Sequence, residues 1–314
     1  MLKMILNRLA LMIPVLIAAS IFVFVLAKLM PVDPARVLLG DGATDAQVAE
    51  VRAELGLDRS WPVQYGSWLW NAVQGDFGDS VYANWPVAEL IGDSVGVTIS
   101  LSIAGIACAV VLGLGLGTIA GLRAGSWADR VISVINALWI AVPNFWVGLL
   151  LAILLGVQLG WLPVSGYTEI TEDPVEWARS LILPGIALGL NPAAVIARQT
   201  RGAVRDMSNS QFVTALRSRG ISENRIVNRY IFKNSMVPVV ATIGIQVPII
   251  VGGTLVVESV FSQPGLGTEL TRAVQRSDPF LLQAGVLIIV VFVLLLNLVV
   301  DIVYRGIDPR IRAS

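Results

Sequence analysis

Long apolar stretches separated by polar segments dominate the pattern of this 314-residue sequence. A helix needs about 20 consecutive apolar residues to cross the hydrocarbon core of a bilayer. Six stretches are candidates, one of them short, so the pattern predicts an all-α membrane protein with six transmembrane helices. The predicted spans are residues 9–30, 97–121, 131–157, 181–197, 237–259 and 280–304.

Two patterns inside the spans bear on how the helices pack. Prolines recur inside the spans, and each removes a helix hydrogen bond and favours a kink. Among them are Pro143, Pro184, Pro192 and Pro248, and the short fourth span contains two of these. In the second span Gly113, Gly117 and Gly121 recur every four residues and therefore share one face. Small residues at this spacing allow a neighbouring helix to approach closely.

The spans divide the chain into four parts. Residues 1–30 form an N-terminal helix with no signal-peptide cleavage site, which predicts a retained anchor. Residues 31–96 form an extracytoplasmic segment with short interfacial helices, one of which begins with a capping box of Thr44 and Gln47. Residues 97–304 form a five-helix transmembrane core that includes a polar loop at 198–236. Residues 305–314 form a tail.

Basic residues are unevenly shared between the two sides of the membrane that these spans define. The N-terminus, 122–130, 198–236 and 305–314 lie on one side and hold fifteen of the 22 Lys and Arg residues. The segments on the other side hold six. Because short cytoplasmic loops are enriched in Lys and Arg, this distribution predicts that both termini are cytoplasmic.

Composition excludes several classes of function. The chain is 55% hydrophobic and 14% charged, and its mean hydropathy is +0.76. It has no histidine and one cysteine, Cys108, which excludes His-dependent catalysis and His- or thiolate-ligated metal sites. No phosphate-binding loop of the G-x-x-x-x-G-K-[ST] type occurs, and 22 basic residues balance 22 acidic ones. The sequence therefore predicts no catalytic residue, no metal site and no nucleic-acid partner.

The polar loop at 198–236 contains a distinctive arrangement around Gly220. Phe212, Leu216 and Ile221 bring apolar side chains close to this glycine, which breaks the predicted helix, and Ser222 is placed to cap a second helix. The arginine-rich second helix is compatible with a hairpin that rests on anionic lipid. The apolar tip instead favours insertion into a groove of a cytosolic partner.

This stretch resembles the cytoplasmic coupling loop, or EAA motif, of binding-protein-dependent ABC importer permeases, especially the dipeptide/oligopeptide/nickel branch. Thr214, Ala215 and Leu216 occupy the E-A-A places and Gly220 occupies the glycine. Further motifs similar to that branch follow one another in the right order along nearly the whole chain. They are "PVDPARVLLG", "ELGLDRSWPVQYGSWLWNAVQGDFGDSV", "GWLPVSGY", "VESVFSQPGLG" and "DIVYRGIDPRIR".

The resemblance implies a type I ABC importer permease, a pore-forming subunit of the bacterial plasma (inner) membrane and not an enzyme. Such a subunit imports a small solute, here di- or oligopeptides, by alternating access. Its implied partners are two cytosolic ATPases, a second related permease in a pseudo-two-fold heterodimer, an extracytoplasmic substrate-binding protein and membrane lipid. No cofactor is expected on this chain, since ATP and Mg bind the ATPases.

Two sets of residues are candidates for the implied function. Asn144, Gln246 and Glu258 either line the translocation path or form hydrogen bonds between helices. The residues expected to dock the ATPase are Phe212, Thr214, Ala215, Leu216, Gly220, Ile221 and Ser222.

The alternative function is a self-contained channel or secondary transporter, which would require ionisable groups that the span interiors largely lack.

Overall fold

The computed structural model describes residues 2–31, 33–40 and 42–307, and it is helical throughout. Within these residues the only β pairing is a single antiparallel bridge between Asp79 and Pro86. The predicted tail lies outside the described residues from position 308 onward. The all-α prediction is therefore confirmed for the part of the chain that the structure describes.

The described ranges contain thirteen α-helices, numbered in chain order, and two of them continue as π-helices, α7 through Ala152–Gln158 and α10 through Ile226–Ile231. Their bounds are α1 Leu2–Lys28, α2 Pro34–Leu39, α3 Asp45–Glu54, α4 Trp61–Val73, α5 Val87–Leu122, α6 Trp127–Ala141, α7 Asn144–Leu151, α8 Pro174–Ser208, α9 Gln211–Ser218, α10 Glu223–Arg225, α11 Phe232–Val260, α12 Leu266–Gln275 and α13 Pro279–Ile307.

Five helical stretches in the described residues are long and apolar enough to cross a membrane, and α6 with α7 forms a sixth if the bent pair is one span. The kink predicted at Pro143 lies in the segment 131–157, where the chain bends by 104° between α6 and α7. Pro143 disfavours a helical conformation at Val142, which is extended with φ −95° and ψ 128°. This apolar segment therefore forms two helices with a bend between them, and not one straight helix.

The fourth span is longer than the predicted 181–197. Helix α8 runs for 35 residues, and Pro184 and Pro192 lie inside it without ending it. In its most apolar stretch 72% of the residues are buried within the protein, the highest share among the candidate spans of the described chain. Close packing around α8 holds the helix together across both prolines, so tertiary contacts override the local preference.

The chain divides into two compact units. The first unit comprises Ile99–Gln263 and the residues from Leu295 onward, and the second comprises Leu2–Thr98 and Pro264–Leu294. Helices α5 and α13 are each divided between them. In the second unit the predicted capping box is confirmed, since the Thr44 N–H donates to Gln47 Oε1 at 3.0 Å and Thr44 Oγ1 accepts from the Gln47 N–H at 3.4 Å.

Several helices of the first unit pack on α8, and α5 approaches it closely at three glycines. A Cβ atom added at Gly117 would lie 2.5 Å from Thr200 Cβ and 2.6 Å from the carbonyl oxygen of Ala197. Added Cβ atoms at Gly113 and Gly121 would also meet α8, at 2.6 Å and 2.9 Å. The predicted glycine face is confirmed, and α8 is the helix that approaches it.

We predict that Gly117→Ala destabilises the protein whereas Gly115→Ala does not. A methyl group at position 117 would collide with the backbone of α8, and overpacking of this kind costs about 1–3 kcal/mol. Gly115, two residues away on the same helix, has open space where a Cβ would lie, with no atom within 4 Å, so alanine there should be neutral or slightly stabilising. Thermal unfolding of the purified proteins compares them, and equal melting temperatures would contradict the close contact.

Candidate functional site

Residues 211–231, here called the knuckle, form two short helical limbs joined at Gly220. The first limb, α9, is capped at its N-terminus by Ser210, whose Oγ accepts a hydrogen bond from the Val213 N–H at 3.3 Å. The second limb begins at Glu223 and runs through the π-helix into α11. Ser222 occupies the cap position of the second limb, but its side chain makes no capping hydrogen bond, contrary to the prediction.

The turn at Gly220 satisfies the carbonyl groups at the end of α9. Gly220 has a positive φ of +72°, its N–H donates to the Arg217 carbonyl at 3.0 Å, and the Ile221 N–H donates to the Leu216 carbonyl at 3.3 Å. This is the hydrogen-bond pattern of a Schellman motif, which places a left-handed residue directly after the helix. Glycine is favoured here for its backbone conformation, since a Cβ would meet no atom within 4 Å.

A small apolar core holds the knuckle together and attaches it to α8. Val204 belongs to α8, and four knuckle residues pack with it in one buried cluster. Ile221 and Tyr230 pack against the edge of the cluster. Because Val204 is part of the cluster, the knuckle packs directly against the C-terminal part of α8. The four buried knuckle residues are Val213, Leu216, Ile226 and Ile231.

The structure divides the predicted docking residues between the surface and the interior of the knuckle. Leu216 is only 7% exposed and belongs to the core, whereas Phe212 is 47% exposed. The Phe212 ring packs edge-to-face with Tyr230, with ring centroids 5.9 Å apart. Ile221 is half-buried. The exposed members of the set are Phe212, Thr214, Ala215, Gly220 and Ser222.

A salt bridge spans the glycine turn. The Arg217 guanidinium donates to Glu223 through Nη2 at 2.6 Å and through Nε at 3.1 Å, so the two limbs are joined by side chains as well as by backbone. The hydrogen bond with Glu223 raises the pKa of Arg217 above its ordinary value. The other basic side chains between positions 218 and 233 are exposed, and they are Arg219, Arg225, Arg229 and Lys233.

A second ion pair ties α8 to the start of α6. The Asp129 side chain is buried, and it accepts from Arg201 Nη2 at 2.8 Å, from Arg201 Nε and from the Gly125 N–H at 2.8 Å. These contacts fix the turn that links α5 to α6. Sequence reasoning missed this pair, although an acidic residue within the otherwise basic 122–130 loop was a signal for it.

Helix α8 also supports the break between α6 and α7. The carbonyl of Trp139 would accept from residue 143 in a continuous helix, but residue 143 is proline and has no N–H. Asn191 of α8 supplies the missing donor, with its Nδ2 3.4 Å from the Trp139 oxygen and 3.2 Å from the Ile140 oxygen. A side-chain amide thus satisfies backbone groups that lipid could not.

The residues predicted to line a path occupy different environments. Asn144 opens α7 and is half-buried, and its Nδ2 lies 3.7 Å from the position that a Cβ on Gly253 of α11 would take. Gln246 and Glu258, both on α11, are buried within the single chain, with Glu258 fully inaccessible. Burial of this kind fits interhelical hydrogen bonding as well as a path that opens in another state.

Comparisons with known proteins are consistent along the whole chain. Residues 113–313 match the family described as binding-protein-dependent transport system inner membrane component, and residues 1–102 match its N-terminal family. A putative peptide transport system permease protein of Brucella abortus strain 2308 is 37% identical over 312 residues, 99% of each chain. The glutathione transport system permease protein GsiC of Escherichia coli K12 is 39% identical over 313 residues, again 99% of each chain.

Solved structures with a similar fold include two crystal forms of the MetNI methionine ABC transporter in inward-facing conformations. The first superposes with a TM-score of 0.57 at 18% identity, and the second with a TM-score of 0.56 at 17% identity. Each match covers 70% of this chain and 96% of the other. At this level of identity the match shows the fold alone.

We predict that Asp129→Asn lowers the free energy of unfolding by about 1–3 kcal/mol, because Arg201 would lose its charged partner in a largely buried contact. The exposed pair of Arg217 and Glu223 provides the control, and Glu223→Gln should cost less than about 1 kcal/mol. Thermal or denaturant unfolding measures both. A double-mutant cycle with Arg201→Gln should reveal coupling for the buried pair, and additive effects would argue against it.

Proposed function

The chain belongs to the family of binding-protein-dependent transport system inner membrane components, and from this premise we propose that its knuckle is the docking site for an ATPase that drives import. The chain is a pore-forming permease of an ABC importer, located in the plasma membrane with several membrane-crossing helices. It is a transport subunit and not an enzyme, because ATP is hydrolysed by a separate subunit.

We propose that the full importer has two cytosolic ATPases, a second related permease that pairs with this chain about a pseudo-two-fold axis, and an extracytoplasmic substrate-binding protein. ATP and Mg would bind the ATPases alone. The proposed orientation places both termini and the knuckle in the cytoplasm, supported by the excess of basic residues in the segments on that side.

One observation carries the docking proposal. The knuckle presents Phe212, Thr214 and Ala215 at its surface, while its own buried cluster and the Schellman turn hold the two limbs rigidly. An exposed aromatic ring on a preorganised element is typical of residues that contribute strongly to an interface. The proposed docking surface is therefore the exposed side of α9 with Gly220 and Ser222, while Leu216 and Ile221 support it from within.

We propose di- or oligopeptides as the transported solutes. The support is that relatives which align with 99% of this chain are named as peptide or glutathione transport permeases, and glutathione is itself a small peptide. The buried position of Gln246 and Glu258 means that in this conformation neither side chain is open to a passing solute. Asn144, Gln246 and Glu258 remain candidates for the path in another conformation.

The docking proposal predicts different outcomes for two substitutions at Gly220. Both Gly220→Val and Gly220→Asn place a side chain in open space, but only asparagine readily adopts a left-handed backbone. Strain of about 1–3 kcal/mol at a non-glycine residue in this region should make valine disruptive. We expect Gly220→Val to reduce both ATPase recovery in a mild-detergent pull-down and dipeptide uptake about tenfold or more, and Gly220→Asn to retain most of both.

Membrane insertion and yield of the two Gly220 variants provide the control, and both should match the natural chain. Equal losses for valine and asparagine would mean that side-chain volume, and not backbone conformation, governs the contact. Normal uptake by the valine variant would defeat the docking proposal.

A second pair of substitutions separates the surface of the knuckle from its interior. Phe212→Ala removes an exposed ring and should weaken ATPase binding by about 1–3 kcal/mol while the melting temperature changes little. Leu216→Ala removes a buried side chain and should lower the free energy of unfolding by about 2–5 kcal/mol. Pull-down and thermal unfolding of both variants provide the comparison. A Phe212 variant that binds normally would place the docking surface elsewhere.

A further inference from the structure

A cavity of about 230 Å³ lies within the second unit, beside the end of α1. Its wall includes two cationic side chains, Lys28 and Arg59, and the indole of Trp68, whose buried N–H has no acceptor among the described residues. Much of the remaining wall is apolar. Its apolar side chains include Phe24, Ala27, Phe77 and Phe280.

Lys28 is held in position but is only partly satisfied. Its ammonium group donates to Gln64 Oε1, and it lies 5.6 Å from the centre of the Phe24 ring. Gln64 is fixed in turn, because its Nε2 donates to the carbonyls of Leu57 at 2.9 Å and Arg59 at 2.6 Å. An ammonium group has three donors, and within the described residues Gln64 is its one hydrogen-bond acceptor. Lys28 therefore keeps donors available toward the cavity.

The nearby carboxylates are already engaged by other groups. Asp33 accepts from Arg52 Nη1 at 2.9 Å and from the Ala35 N–H at 3.1 Å. Asp76, the one acidic residue among the described residues of the cavity wall, accepts from the Gly78 N–H at 2.9 Å. The wall thus combines two cations with one carboxylate that is bonded to backbone, which favours an anionic ligand.

The cavity lies at the depth where a membrane-crossing helix ends. Phe22, Leu26 and Leu29 are exposed apolar side chains at the end of α1, close in sequence to Lys28, as expected for a surface in contact with lipid tails. Exposed Trp61 and Trp70 on α4 are typical of the layer between the tails and water. An anion at this depth that also needs apolar contacts has the chemistry of a lipid headgroup phosphate.

We propose that this cavity binds the phosphate of an anionic phospholipid through Lys28 and Arg59, with the acyl chains along the exposed side of α1. The basic groups would bind the phosphate by charge-assisted hydrogen bonds, and the aromatic wall would contact the glycerol and the first methylene groups. None of these residues belongs to the knuckle, so the lipid proposal does not rest on the proposal that the knuckle docks an ATPase.

Native mass spectrometry of the delipidated full-length chain, titrated with dioleoyl phosphatidylglycerol, tests the proposal. We expect Lys28→Gln to raise the Kd for phosphatidylglycerol about tenfold, which is the order of one charge-assisted hydrogen bond, and Lys28→Arg to restore most of the affinity. Arg36→Gln is the matched control. Arg36 lies in the same segment, is exposed and pairs with Asp45 at 2.8 Å, so its loss should leave the affinity unchanged.

Other probes distinguish the sources of the phosphate. Phosphatidylcholine, which carries no net charge, and glycerol 3-phosphate, which has no acyl chain, should each bind at least about tenfold more weakly than phosphatidylglycerol. Tight binding of glycerol 3-phosphate would replace the lipid with a soluble phosphate. An unchanged affinity in a Lys28→Gln protein with a normal melting temperature, or an equal loss in the Arg36→Gln protein, would overturn the proposal.

Discussion

The packing of neighbouring helices on α8 is the interaction on which the first unit depends. Lipid tails are as apolar as leucine, so helices in a membrane gain little from hiding apolar surface and rely on close packing instead. Gly113, Gly117 and Gly121 provide that packing by letting α5 meet the backbone of α8. Three further features of the unit each include a residue of α8: the knuckle core, the Asp129 ion pair and the break between α6 and α7.

The need to satisfy backbone hydrogen bonds inside the membrane explains the contact of α8 with the end of α6. A helix break inside a membrane leaves polar groups that lipid cannot solvate, and Asn191 supplies a donor at the break before Pro143. The same requirement appears at the end of α9, where the backbone of Gly220 and Ile221 satisfies the last carbonyls. The carbonyl groups at the end of α6 are satisfied by a side chain of another helix, and those at the end of α9 by the backbone of the turn that follows it.

Features that depend on neighbouring residues could be predicted from the sequence, and features that depend on another helix could not. Local rules predicted the glycine face, the capping box of Thr44 and the turn at Gly220, since each depends on a few neighbouring residues. A kink at Pro143 was predicted from the proline alone, but its size of 104° was not. Helix α8 was predicted too short, because the packing around Pro184 and Pro192 is not visible in the sequence. The Arg201–Asp129 bond joins residues 72 positions apart, and the burial of Leu216 depends on Val204 of another helix.

The arrangement also bears on how movement at the knuckle could reach the pore. Coupling between distant sites needs an element with two arrangements that both sites can bias. The knuckle packs on α8 through the cluster that includes Val204, and α8 contacts α6 near both ends of α6, at Asp129 and at Trp139. A shift of the knuckle would therefore act on the junction of α6 and α7, where the 104° bend already departs from a straight span. On the proposal that the knuckle docks an ATPase, the contacts of α8 connect the docking surface to this bend.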